Sequence, residues 1–245
     1  MLKYDWEISL ESICTVAHGL GDLLDDFVFV GGSTLGFYVD QVPEKLREVR
    51  GSEDVDLIVE IKSRVEFAKL EESLRRLGFA HDTSRGAPIC RFIFAGVKVD
   101  VMPTDPSVLS FSNRWYEEGI RNAIEVEPRT GVRIRILSGP FFIAAKFEAF
   151  KGRGKRPGEY IYSRDLEDIV TLFDGRTGLV DELTSTSGSL RSYLQEEIQR
   201  LLIDQEFLDS MSAFVRPDPR ALSRITGVRA RIASVVARIQ NSSGA

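Results

Sequence analysis

Asp54-Val55-Asp56 is followed directly by Leu57-Ile58-Val59. Alternation along a strand places both carboxylates on one face, roughly 6.5–7 Å apart at Cα, with Val55, Leu57 and Val59 turned to a core. Two acids side by side on a buried strand repel, so either one pKa rises or a divalent cation sits between them. On an edge strand the same acids would simply be solvated. Asp100, within Val97-Lys98-Val99-Asp100-Val101, alternates in the same way. If its strand lies beside that of Asp54, three carboxylates converge, a set suited to two magnesium ions about 3.5–4 Å apart in a phosphoryl or nucleotidyl displacement. Gly31-Gly32-Ser33 closes the apolar run Phe27-Val28-Phe29-Val30. Glycines there let backbone N–H groups approach a polyphosphate, and the Ser33 hydroxyl can donate to a phosphate oxygen. The same turn also serves as an ordinary strand-to-helix connection with a Ser N-cap.

Other chemistries are poorly supplied. His18 and His81 are the only histidines and Cys14 and Cys90 the only cysteines. That argues against a zinc site of the usual ligands, a Ser-His-Asp triad and a disulfide framework. With 245 residues, 43% hydrophobic and 28% charged, the chain has the composition of a globular protein that buries a sizeable core. Its longest unbroken apolar stretch, Phe141 to Ala145, is far short of the roughly 18 residues a membrane span requires. A cytoplasmic protein with no membrane partner is the expectation. The net charge is −5, yet from Met211 onward six arginines (216, 220, 224, 229, 231 and 238) face one acid, Asp218. That tail could meet an anion or pack as a basic amphipathic helix, since Ile225, Val228, Ile232, Val235, Val236 and Ile239 recur at helical spacing.

The elements that must position these residues are legible in outline. A helix is expected over Ser9 to Leu24, then the strand Phe27 to Val30, and a helix from Ser33 to Val39 opened by Ser33. The Asp54 strand follows. Ser63-Arg64-Val65-Glu66 has capping-box spacing and opens a helix carrying Val65, Leu70, Leu74 and Leu77 that stops at Gly78. Ile89 to Phe94 and Val97 to Met102 flank Ala95-Gly96 as a hairpin; Ala123 to Val126 and Val132 to Ile136 flank Arg129-Thr130-Gly131 as another. From Ser138 on the pattern is helical, over Pro140 to Phe150, Ser163 to Phe173, Leu190 to Phe214 and Pro219 to Ile239. Lys151 to Tyr162 reads as a loop in which Lys151, Arg153, Lys155 and Arg156 could receive phosphates.

Gly-Gly-Ser, then Arg50-x-Ser52-x-Asp54-x-Asp56, then the strand aspartate Asp100 resemble the nucleotidyltransferase superfamily with the DNA polymerase β-like fold, and more narrowly the AbiEii/AbiGii-type toxin nucleotidyltransferases. The resemblance spans residues 25–176 and includes Ala144-Ala145-Lys146-Phe147-Glu148-Ala149-Phe150 and Tyr162 to Val170, with Asp174-Gly175-Arg176. It implies an α/β core with a mixed sheet over residues 1–138, then an all-helical domain over 139–245 completing the nucleotide cleft. It also implies Mg2+, two ions held by Asp54, Asp56 and Asp100, with an NTP gripped by Gly31, Gly32 and Ser33. Lys146 and Asp165 map onto the helix lysine and later aspartate that complete such a site. Lys146 is a cation among apolar neighbours, whereas Asp165 in a first helical turn would also be favoured by the dipole alone. The implied acceptors are RNA, such as tRNA 3′ ends, with a cognate antitoxin as partner, or a small hydroxylated molecule; a non-catalytic binding module is the further alternative. The segment Asp40 to Arg50 would then be an insertion or extended helix.

Overall fold

The computed structural model describes residues 5–153 and 158–243. In chain order the elements up to Ser138 are α1 (Asp5–Leu20), β1 (Phe27–Val30), α2 (Pro43–Leu46), β2 (Asp54–Val59), α3 (Arg64–Arg76), β3 (Ala80–His81), β4 (Arg91–Phe94), β5 (Val97–Pro103), α4 (Pro106–Leu109), α5 (Tyr116–Arg121), β6 (Ile124–Arg129) and β7 (Val132–Ile136). Then come α6 (Gly139–Gly152), α7 (Arg164–Gly175), α8 (Leu179–Thr184), α9 (Gly188–Ile203), α10 (Gln205–Phe214) and α11 (Ala221–Ser243). Short 3₁₀ turns lie at Gly21–Asp26, Gly32–Phe37 and Tyr160–Tyr162. The chain divides into two compact units: Met1–Gly36 with Arg50–Ser138, and Phe37–Val49 with Gly139–Ala245.

The first unit is a seven-stranded mixed sheet in the order β3-β4-β5-β2-β1-β7-β6. Strand β2 pairs antiparallel with β1 and parallel with β5, while β1 pairs parallel with β7. Phe27 to Val30 are all buried, as a continuous apolar run requires when both faces of a strand are covered. Helix α1 lies against the sheet through its buried face, Ile13, Val16, Ala17 and Leu20. It packs closely, because a Cβ on Gly19 would stand 2.3 Å from the Phe94 ring. The β4–β5 hairpin turns on Ala95 and Gly96, both at positive φ (48° and 84°), the signature of a two-residue type I′ loop. Strand β6 runs to Arg129, past Pro128, with a register shift between Val126 and Arg129. A proline is tolerated there because β6 is an edge strand of the sheet.

Some sequence expectations change here. The first helix ends at Leu20 and continues as a 3₁₀ turn. In place of a helix from Ser33 to Val39 there is a 3₁₀ turn over Gly32–Phe37, in which the Thr34 N–H and hydroxyl both donate to the Gly31 carbonyl. Ser63 does cap α3 by accepting from the Glu66 N–H, but the buried face of α3 is Phe67 and Leu74, and Val65 is 66% exposed.

The second unit is helical. Here α6, α7, α9 and α11 bury one contiguous core that includes Phe142, Phe147, Ile169, Phe173, Leu194, Ile198, Ile232 and Val235. Helix α8 is an addition to the expected set. The long pattern from Leu190 to Phe214 is two helices, because the Asp204 side chain accepts from the Phe207 N–H and starts α10 afresh. Phe37–Val49 belongs to this unit and not to the sheet. Tyr38 packs on Phe142 with ring centroids 4.4 Å apart, Val39 sits against Gly175, and the Thr177 hydroxyl donates to Asp40. Among the described residues no helix is long and apolar enough to cross a membrane.

Candidate active site

Three strands bring the first set of residues together. Asp56 lies opposite Asp100 in the parallel β2–β5 pair, Asp100 lies opposite Arg91 in the β5–β4 hairpin, and Asp56 lies opposite Val30 on β1. These residues form one transverse row. Directly paired residues project to the same face, so Arg91, Asp100 and Asp56 share it, and Asp54, two residues before Asp56, joins them. Val55, Leu57, Val99 and Val101 point the other way and are fully buried, which holds the row in register.

The row meets the Gly-Gly turn at its β1 end. Gly31 has φ +75°, and a Cβ there would stand 1.9 Å from Asp56 Oδ2. Only a residue without a side chain lets the carboxylate lie against that backbone. A Cβ on Gly32 would come within 2.8 Å of Arg50 Nη2, so a guanidinium lies over the second glycine. Ser33 is fully buried, and its hydroxyl donates to the Val30 carbonyl at 3.5 Å.

Arg91 was not singled out by sequence pattern and is central to the geometry. Its Nε and Nη2 donate to the two oxygens of Asp100, each at 2.7 Å, and Nη2 also reaches Asp54 Oδ2 at 3.4 Å. The Asp100 hydrogen bonds hold the guanidinium pKa above even its usual high value, against the opposing effect of burial. The neighbouring Cys90 thiol is pushed up to about 12, by burial first and then by the charge of Asp100. The signal that would have found Arg91 is the hairpin itself: a two-residue loop at Ala95-Gly96 pairs Phe94 with Val97 and therefore Arg91 with Asp100.

Among the described residues, no group of three or more Asp, Glu, His and Cys side chains is arranged to hold a metal ion. Arg91 takes both oxygens of Asp100. The donor set nevertheless suits a hard cation: three carboxylates on one face, with a guanidinium already occupying the cation's place beside two of them.

Lys146 and Asp165 form a second cluster within the helical unit. Lys146 Nζ lies 2.6 Å from Asp168 Oδ2 and 3.4 Å from Asp165 Oδ1, and also over the Phe142 ring at 5.5 Å. Arg153 pairs with the other oxygen of Asp165. Asp168, which has no distinguishing sequence signal beyond its three-residue spacing from Asp165, is fully buried and is the nearer partner. Lys151 pairs with Glu148 and Glu197; Lys155 and Arg156 of the same basic loop lie outside the described residues.

Three of the tail's six arginines bond to other parts of the helical unit. Arg224, Arg231 and Arg238, spaced by seven, bond respectively to Asp174 and Glu48, to the Arg176 and Thr177 carbonyls, and to Asp181. Val228, Ile232, Val235, Val236 and Ile239 are buried on the same helix.

No family model and no curated protein matches the chain. Among solved structures it is similar to the crystal structure of JHP933 from Helicobacter pylori, with a TM-score of 0.52 at 13% identity, covering 100% of this chain and 97% of that one. At that identity the similarity is one of fold.

Proposed function

We propose that this protein is a nucleotidyltransferase that moves an NMP from an NTP to a hydroxyl acceptor, using the β1–β2–β5 row as its reaction centre. The observation that carries this reading is the placement of Asp56 between Asp100 and the Gly31-Gly32 turn, with Asp54 on the same face. A carboxylate set beside a close-approach backbone turn is what a metal-bound triphosphate needs. Asp54, Asp56 and Asp100 would hold magnesium, which when bound would neutralise phosphate charge and acidify the acceptor hydroxyl. The Gly31-Gly32 backbone would admit the phosphates closely. The acceptor oxygen attacks the α-phosphorus, the bond to the β-bridging oxygen breaks, pyrophosphate leaves, and Asp100 assists removal of the acceptor's proton. Lys146 and Asp165, to which the resemblance gives a part in nucleotide binding, are held within the helical unit by Asp168 and Arg153.

For the acceptor, RNA such as tRNA 3′ ends follows from the AbiEii-type resemblance, and a cognate antitoxin would accompany it. A small hydroxylated acceptor is the enzymatic alternative. A second reading, a non-catalytic module of the same fold, draws on one observation: the bidentate Arg91–Asp100 pair occupies a carboxylate that catalysis needs. The test incubates wild type and Asp56→Asn with magnesium, each α-labelled NTP and total RNA, followed by a denaturing gel. Label entering a discrete RNA band with wild type alone is expected. Transfer that survives Asp56→Asn would sink the assignment; NTP binding without RNA label would shift the acceptor to a small molecule or protein. Absence of NTP binding would leave the non-catalytic module.

A further inference from the structure

A permanently charged side chain placed among carboxylates that a cation should occupy asks for an explanation. Arg91 is tied to Asp100 through both arms of its fork and to Asp54 through one. Its side chain is 18% exposed and that of Asp100 13%, whereas Asp54 is 39% exposed. The pair is therefore sheltered at Asp100 and open to solvent on the Asp54 side. A guanidinium cannot leave such a site by losing its proton. It can leave only by exchanging one anion for another, and its planar fork fits a phosphate as well as a carboxylate.

We propose that Arg91 is a resident placeholder cation: it holds Asp100 and Asp54 until a metal–nucleotide complex arrives, then exchanges those carboxylates for phosphate oxygens of the nucleotide. The inference rests on the nucleotidyltransferase reading of the same residues. A divalent cation alone must displace Arg91 and leave its charge without a partner. A nucleotide alone finds the guanidinium already engaged. The two together satisfy every charge, so each ligand raises the affinity of the other by the same factor. Arg91 thus guards the site against metal without substrate, and it keeps the carboxylates from repelling one another in the resting protein.

The register supports this assignment. Arg91 is locked opposite Asp100 by a two-residue turn, so its backbone is fixed while its long side chain has rotamers to spare. Its chain neighbours, Cys90 and Phe92, are buried and anchor the backbone from which the fork moves.

The test is binding, not turnover. Mn2+ affinity of the full chain is measured by the electron paramagnetic resonance signal of free Mn2+, with and without each α,β-methylene nucleoside triphosphate. Wild type is expected to bind Mn2+ weakly alone and at least about tenfold more tightly with the preferred nucleotide. Arg91→Met should bind Mn2+ alone at least about tenfold more tightly than wild type, with the coupling factor falling toward one. Arg91→Lys keeps a counter-charge should the Met variant fold poorly; losing the bidentate fork, it should lie between the two. If wild type shows Mn2+–nucleotide binding that Asp56→Asn abolishes, yet neither Arg91 variant binds Mn2+ alone more tightly, the placeholder role is wrong and the enzyme reading stands. If wild type binds no Mn2+–nucleotide complex at all, both fall.

Discussion

Replacing Gly31 with alanine separates two effects that glycine substitutions usually confound. Gly31 and Gly131 both have positive φ, +75° and +84°, but a Cβ at Gly131 meets nothing within 4 Å, whereas at Gly31 it meets Asp56 Oδ2 at 1.9 Å. An L-residue in the left-handed region costs about 1–2 kcal/mol, and the loss of glycine's freedom in the unfolded chain offsets about 0.4–1 of that. Gly131→Ala should therefore lower stability by about 1 kcal/mol and leave the carboxylate row untouched. Gly31→Ala carries the same backbone term and must also move the carboxylate oxygen from 1.9 Å to at least 3.4 Å, a shift of about 1.5 Å. Forcing Asp56 off its rotamer adds about 0.5–1.5 kcal/mol, and a misplacement of about 1 Å in a reaction centre can reduce turnover about 100-fold. Urea unfolding can be followed by tryptophan fluorescence, which reports the first unit alone because Trp6 and Trp115 are the only tryptophans and both are buried there. Nucleotidyl transfer and Mn2+–nucleotide binding are then compared between the two variants. If Gly31→Ala is no less stable than Gly131→Ala and binds Mn2+–nucleotide equally well, Asp56 does not lie against Gly31 and the row does not meet the turn.

The remaining predictions concern buried charge and protonation. Lys146→Met should destabilise the helical unit by about 3–5 kcal/mol, since it strands the buried carboxylates of Asp165 and Asp168. Lys146→Met/Asp168→Leu should recover part of the loss, read by far-ultraviolet circular dichroism in urea, and a single variant within about 1 kcal/mol of wild type would show the cluster to be unimportant for stability. The raised pKa of Cys90, from 9.0 to about 12, means that the folded protein keeps that proton longer than the unfolded chain. Its contribution is therefore full below pH about 9 and is lost as pH rises toward 12. Stability should fall across that window in wild type and less steeply in Cys90→Ala; equal slopes would contradict the assignment.

Much of the first unit was readable because its strands alternate or run apolar between strong turn signals. Phe27 to Val30, Asp54 to Val59 and the Ala95-Gly96 hairpin occur where the pattern puts them. What pattern could not supply was pairing between distant strands. That Asp56 stands opposite Asp100 depends on the parallel β2–β5 register, which no local rule encodes. The allegiance of Phe37–Val49 was hidden for the same reason: Lys45 reaches Asp174 and Glu48 reaches Arg224 across more than a hundred residues. Within the helical unit the break between α9 and α10 escapes the pattern because Leu201 and Leu208, seven residues apart, keep up a helical hydrophobic spacing across it. The Asp204 cap was the local clue, a side chain that competes for backbone N–H groups and restarts the helix. Val65 departs from the pattern because hydrophobicity alone does not require burial, and singly exposed apolar residues are ordinary.

Solvent access distinguishes the two ionic clusters. In the helical unit Lys146 and Arg153 face Asp165 and Asp168, two positive charges against two negative. The set is neutral, and its two carboxylates are buried, so an added metal ion would bring an excess charge into a place where water cannot screen it. In the sheet unit Asp54, Asp56 and Asp100 share a face with Arg91 and with the exposed Lys98, which lies opposite Asp54, while Arg50 lies over Gly32, so three positive charges stand against three negative. Asp54, at 39% exposure, is the open member of that set. A divalent ion entering on the Asp54 side would be screened by water, and on the proposed reading Arg91 would carry its own positive charge onto the incoming triphosphate. Burial, not net charge, therefore separates the closed cluster around Lys146 from the more open one around Arg91.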